Sequence, residues 1–150
     1  RLTTMSAVWL WRGALPHLKQ SSQGRIVNIT SAYVKEPSSL LLLSNALRPG
    51  VTAMAKMLSA ELAPAGVTVN CIAPTSILTD RTRSIATTTA ERAGMSVDEQ
   101  LERNARGMPM GRYGDASELA AICAFLCSTQ AGYVTGQTIV IDGGAGKSIF

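Results

Sequence analysis

Gly66-Val67-Thr68-Val69-Asn70-Cys71-Ile72-Ala73-Pro74 is the stretch that decides the fold. Gly66 ends one element, Pro74 stops the next, and the run between them is apolar and β-branched. The upstream run Gly24-Arg25-Ile26-Val27-Asn28-Ile29-Thr30-Ser31 is of the same kind and reads as a buried strand of a parallel sheet. Downstream, Thr138-Ile139-Val140-Ile141-Asp142 gives a third strand, ended by Gly143-Gly144.

Helical patterns fill the intervals. Leu2, Met5, Val8, Trp9 and Leu15 recur at three- and four-residue steps, so residues 2–19 read as a helix closing near Pro16. Residues 40–62 are helical in composition and are expected to break at Pro49-Gly50. Residues 75–112 read as polar and irregular, apart from a helix over Ser96–Arg106 whose Ser96 and Glu99 have capping-box spacing. Asp115-Ala116-Ser117-Glu118 opens an apolar helix that runs to Cys127. Strands alternating with helices predict an α/β fold with a parallel sheet.

Composition narrows the function classes. The chain of 150 residues is one domain's worth, and its 46% hydrophobic content excludes wholesale disorder. Only 16% of residues are charged, against about 25% in an average domain, so much of the surface is expected to be covered by other protein. The net charge of +4 is scattered and aromatics are only 5%, which argues against nucleic-acid binding. The apolar stretch from Leu119 to Ile141 is interrupted by Ser128-Thr129-Gln130 and Thr135-Gly136-Gln137-Thr138, so no membrane span is expected. Cys71, Cys123 and Cys127 suit neither a disulfide framework nor a metal site, and point to a reducing, cytoplasmic setting. Cys123 and Cys127 read as two small core residues on one helix face. The opening Arg1-Leu2-Thr3-Thr4 runs uncapped into a helical pattern, as if the chain were entered in its middle.

The three strand segments, the Gly107-Met108-Pro109-Met110-Gly111-Arg112-Tyr113-Gly114 segment and Tyr133-Val134-Thr135-Gly136 together resemble the C-terminal half of a short-chain dehydrogenase/reductase. The Ser44-Asn45-Ala46-Leu47-Arg48 helix is similar to a divergent, oxoacyl-reductase-like branch of that family. The resemblance implies half of a Rossmann-like doubly wound sheet with residues 25–31, 67–73 and 138–142 adjacent, and NAD or NADP as cofactor. The family's glycine-rich phosphate loop has no counterpart here, so residues 1–150 are expected to be a partial domain lacking the N-terminal dinucleotide-binding half.

The family pattern of Ser, Tyr and Lys implies the site. Ser31 falls at the Ser position, Ser44 at the Tyr position and Arg48 at the Lys position. These three are the candidate catalytic residues, with Arg48 also expected to hold the cofactor ribose. Ser44 is a far weaker acid than a phenol, Arg48 keeps the positive charge, and Pro49 puts the alignment of Ser44 with Arg48 in question. Pro74-Thr75-Ser76-Ile77-Leu78-Thr79 stands where the family reads Pro-Gly-x-Ile-x-Thr, so Ile77 and Thr79 are candidate nicotinamide contacts. Thr75 at the glycine position is a strained choice if φ is positive there. Each residue also has a plainer role: Ser31 as a turn hydroxyl, Ser44 on a helix surface, Thr79 as a helix cap, Tyr33 as an exposed loop side chain.

The function implied is hydride transfer between NAD(P) and a small carbonyl or alcohol substrate, in an oligomer formed through helices 2–19 and 40–62. The alternatives are a degenerate, non-catalytic binding or scaffold subunit, or an inactive truncated fragment.

Overall fold

The computed structural model describes residues 2–39 and 41–149. Three strands, β1 (Arg25–Ile29), β2 (Thr68–Pro74) and β3 (Thr138–Ile141), form a parallel sheet in the order β1-β2-β3. Ile26 lies beside Val69 and Asn28 beside Cys71, which sets the register of the first pair. The described residues also form five α-helices, α1 (Thr4–Gln20), α2 (Leu42–Leu62), α3 (Asp80–Ala93), α4 (Val97–Arg106) and α5 (Ala116–Cys127), of which α1, α2 and α5 cover the sheet. The α/β class and the adjacency of the three strands are as expected.

Strand alternation divides the core in two. Ile26, Val69 and Cys71 face α1 and α2, where Trp11, Val51, Ala55 and Leu62 close over them. Ile72 and Val27 face α5, with Leu126 and Ala131 beneath. Covering both faces is what a parallel sheet requires, because its crossover helices lie on both sides. β2 is the central strand and every residue from Thr68 to Ala73 is buried. β1 pairs only with β2 among the described residues, and Ile29 at its end is exposed.

The helix read over residues 2–19 is present as α1, but Pro49 does not break its helix as the sequence predicts. Pro16 lies inside α1, which continues to Gln20, and Pro49 lies inside an unbroken α2. An interior proline costs about 3 kcal/mol or more. In α2 the burial of Val51, Ala55, Ser59 and Leu62 along one face, at roughly 1.5–3 kcal/mol per large apolar side chain, outweighs it. Leu40, where that helix was expected to begin, lies outside the described residues.

Residues 75–112 are more ordered than their polarity suggests. α3 occupies Asp80–Ala93 despite its β-branched threonines, held by caps at both ends and by a buried alanine face. Thr79 caps its start, Gly94 at φ 66° ends it, and Thr87, Thr88 and Thr89 donate to the carbonyls of Arg83, Ser84 and Ile85. Buried Ala86 and Ala90 lie on one face of this helix, and α3 packs on α4. The capping box of Ser96 and Glu99 is formed as expected, and Asp115 with Glu118 makes a second one at α5. Cys123 is half-buried but Cys127 is exposed, so only the first belongs to the core.

Candidate active site

The carboxyl ends of the strands carry the site, where open α/β sheets bind ligands. Thr30 and Ser31 follow β1 in extended conformation. The Ser31 hydroxyl accepts from the Tyr33 N–H at 3.4 Å and starts a short 3-10 helix over Ala32–Val34. Its turn-capping role is therefore real.

Arg48 reaches the same point from α2. Its Nε donates to Ser44 Oγ at 2.9 Å, and its Nη1 donates to the Thr30 carbonyl at 3.0 Å. The unbroken helix places Ser44 and Arg48 one turn apart on one face, so the alignment that Pro49 put in question is intact. Ser31, Ser44 and Arg48 are thus gathered at the end of β1, with Thr30 as the link. A guanidinium carries five N–H donors, and these two bonds leave the others available.

Asn45 ties the next loop to this helix. Its Oδ1 accepts from the Ser38 N–H at 3.3 Å and its Nδ2 donates to the Ser38 carbonyl. Sequence reading missed this residue. The only signal was an amide following Ser44 on the site's own helix.

Ile77 and Thr79 lie between β2 and α3. Ile77 forms an isolated bridge with Gly114, and the adjacent Leu78 N–H donates to the Gly114 carbonyl at 2.8 Å. Thr79 Oγ1 accepts from the Thr82 N–H at 3.3 Å as the cap of α3. The positive φ in this segment belongs to Ser76, at 53°, and not to Thr75, so the strain expected at Thr75 falls one residue later.

A cleft of about 550 Å³ opens beside these segments, bordered by Tyr33, Lys35, Glu36, Thr75, Ser76 and Asp142 among others. Tyr33 is half-buried and borders this cleft, so it is not the exposed loop residue expected. The tail after β3 closes one side. Asp142 accepts from the N–H groups of Gly144 and Gly146 at 2.9 and 2.7 Å, and Glu36 accepts from those of Lys147 and Ser148.

Electrostatics outside the cleft are structural. Arg112 grips Glu118 with two bonds of 2.7 Å, which, with the Asp115 N–H, holds the Glu118 carboxyl down to about 2. Burial pushes the Cys71 thiol up, so it stays protonated and is no nucleophile. Among the described residues no group of three or more His, Cys, Asp or Glu is placed to hold a metal, and no helix is long and apolar enough to cross a membrane.

A nicotinamide dinucleotide fits what is present in one respect. Arg48, whose guanidinium keeps N–H donors beyond those two bonds, borders a second hollow of about 310 Å³ beside β1, lined also by Asn28, Ile29 and Thr30. Ribose hydroxyls accept such donors.

Comparison with known proteins agrees with this fold. Residues 1–146 match the family described as Enoyl-(Acyl carrier protein) reductase. The chain is 39% identical over 132 residues to the NADPH-dependent reductase BacG of Bacillus subtilis, covering 88% of this chain and 51% of that protein. It is 33% identical over 143 residues to the 3-oxoacyl-[acyl-carrier-protein] reductase FabG of Vibrio cholerae, covering 95% and 54%. Among solved structures, L-sorbose reductase from Gluconobacter frateurii, complexed with NADPH and L-sorbose, superposes with a TM-score of 0.93 at 29% identity, covering 98% of this chain and 56% of that one. YwfH, an NADPH-dependent reductase involved in bacilysin biosynthesis, superposes at 0.87 with 36% identity, covering 97% and 56%. The chain therefore spans about half the length of these relatives. With its parallel sheet, its strand-end site and these matches, the chain belongs to the short-chain dehydrogenase/reductase family, on its oxoacyl-reductase-like side.

Proposed function

We propose that the protein containing this chain reduces a small carbonyl compound with NADPH, using Ser31, Ser44 and Arg48. The observation that carries this reading is the pair of bonds from Arg48, to Ser44 Oγ and to the Thr30 carbonyl, at the end of β1. The NADPH dependence of the relatives supports that cofactor over NAD.

A bound reduced nicotinamide supplies the hydride. Arg48 would hold its ribose through the open N–H groups, and Ile77 and Thr79 would meet its nicotinamide side. Because Ser44 Oγ already accepts from Arg48, its own O–H is left to donate to the substrate oxygen. Ser31, one residue beyond the Thr30 carbonyl, orients that oxygen from the strand end. Negative charge that develops on the oxygen is stabilised by the guanidinium directly behind Ser44. A serine hydroxyl is too weak an acid to yield its proton outright, so the proton that completes the alcohol comes through Ser44 from water.

Assembly belongs to the same reading. Met5, Trp9 and Leu10 on α1 and Leu42, Leu43 and Met57 on α2 are exposed, an apolar load suited to a second copy of the protein. At least a dimer through α1 and α2 is proposed, in a reducing cytoplasmic setting consistent with three free cysteines. The test of function is NADPH oxidation by the full-length protein against a panel of ketones and aldehydes. Turnover that falls at least tenfold in Ser44→Ala supports the reading. Absence of turnover across the panel favours a non-catalytic subunit.

A further inference from the structure

Three charged side chains border the cleft of about 550 Å³: Lys35, Glu36 and Asp142. They are not equally available. Asp142 is committed to the N–H groups of Gly144 and Gly146, and Glu36 to those of Lys147 and Ser148. Lys35 has neither ion pair nor hydrogen bond from its ammonium group among the described residues. Tyr33, two residues earlier, likewise has no partner for its hydroxyl; its backbone N–H is the group that Ser31 receives. The turn that begins at Ser31 thus presents a cation and a phenol to the cleft, and both are uncommitted.

We propose that the cleft takes carbonyl substrates bearing one carboxylate, which Lys35 receives with a hydrogen bond from Tyr33. The proposal rests on the reductase reading of the neighbouring site and names its substrate class. An ammonium is a point charge that matches a monoanion. Glu36 and Asp142 are each held by backbone N–H groups of the tail, so the Lys35 ammonium is the charged group left to receive an anion. Val140 and Met108 supply apolar wall for the rest of the molecule, and the volume is in the range of small-ligand sites.

The test uses full-length protein with levulinate and its uncharged methyl ester as probes. Binding is measured by ligand-observed NMR titration, and reduction separately by NADPH oxidation. The wild type is expected to bind levulinate at least tenfold more tightly than the ester. In Lys35→Met that preference should fall to within about twofold, and in Lys35→Glu it should reverse, a charge dependence that loss of folding would not produce. Tyr33→Phe should weaken levulinate binding about tenfold to a hundredfold, the value of one hydrogen bond to a charged group. A wild type that binds acid and ester alike, or a preference that survives in Lys35→Met, overturns the proposal. The carboxylate assignment stands or falls on the binding arm, and the reductase reading on the oxidation arm across its wider panel.

Discussion

The Arg48 guanidinium donates from Nε to Ser44 Oγ at 2.9 Å while Nη1 holds the Thr30 carbonyl at 3.0 Å. One side chain therefore fixes both a hydroxyl on α2 and the end of β1. A lysine has no planar fork and must serve both acceptors from a single nitrogen on a flexible stem, which fixes their separation less well. Arg48→Lys is expected to lower kcat/KM about tenfold to a hundredfold in steady-state assays of the full-length protein. An unchanged value would mean that charge alone suffices.

Pro49 follows this arginine inside a continuous helix, so its missing N–H and its ring work against α2 without breaking it. Pro49→Ala restores a helical residue, and a gain of about 1–3 kcal/mol is expected in urea denaturation. A loss of stability would show that the ring makes packing contacts worth more than the helix bond.

Gly136 tests a different constraint. Its φ is +68°, and a Cβ there would stand 2.6 Å from Ser59 Oγ and 3.0 Å from Lys56 Nζ, which itself donates to the Gly136 carbonyl at 3.1 Å. Gly66 has a similar φ of +72° but open space around it. Gly66→Ala should cost about 1 kcal/mol for the left-handed backbone alone. Gly136→Ala should cost at least about 2 kcal/mol, since the crowding adds to the strain. Chemical denaturation of the two variants side by side checks the order.

Acid titration reads the Arg112–Glu118 clasp. The Glu118 carboxyl is lowered from 4.5 to about 2 in the folded protein, so its contribution is complete above the unfolded value and is lost as the pH falls through the folded one. The side chains are 52% and 46% exposed, so salt weakens the pair. Between pH 5 and 2, measured by chemical denaturation, Glu118→Gln is expected to lose less stability than the wild type. Parallel curves for the two proteins would assign no role to this carboxylate.

Much of this was legible in the sequence, for physical reasons. β2 was read from Val67–Ala73 because a short, β-branched and mostly apolar run bounded by Gly66 and Pro74 has few other outcomes, and the polar start of α4 was read from Ser96 and Glu99. The helix break at Pro49 was misread because proline's local cost is visible in a sequence, whereas the burial of Val51, Ala55 and Leu62 that outweighs it is not. α3 was missed for a related reason, since the packing of Ala86 and Ala90 and of α3 on α4 that holds a threonine-rich helix is not visible in the sequence. The positions of Ser31, Ser44 and Arg48 came from a family pattern. Their convergence through the Thr30 carbonyl, and the commitment of Glu36 and Asp142 to the tail, needed three dimensions.

Transfer of deuterium from NADPH labelled at the reactive nicotinamide carbon tests the central claim most directly. The full-length protein and a ketone substrate are followed by mass spectrometry and NMR of the alcohol. Deuterium is expected on the carbinol carbon, at a rate that falls at least tenfold in Ser44→Ala and further in Arg48→Met. No deuterated alcohol across a broad carbonyl panel, or label transfer indifferent to both substitutions, would contradict the account.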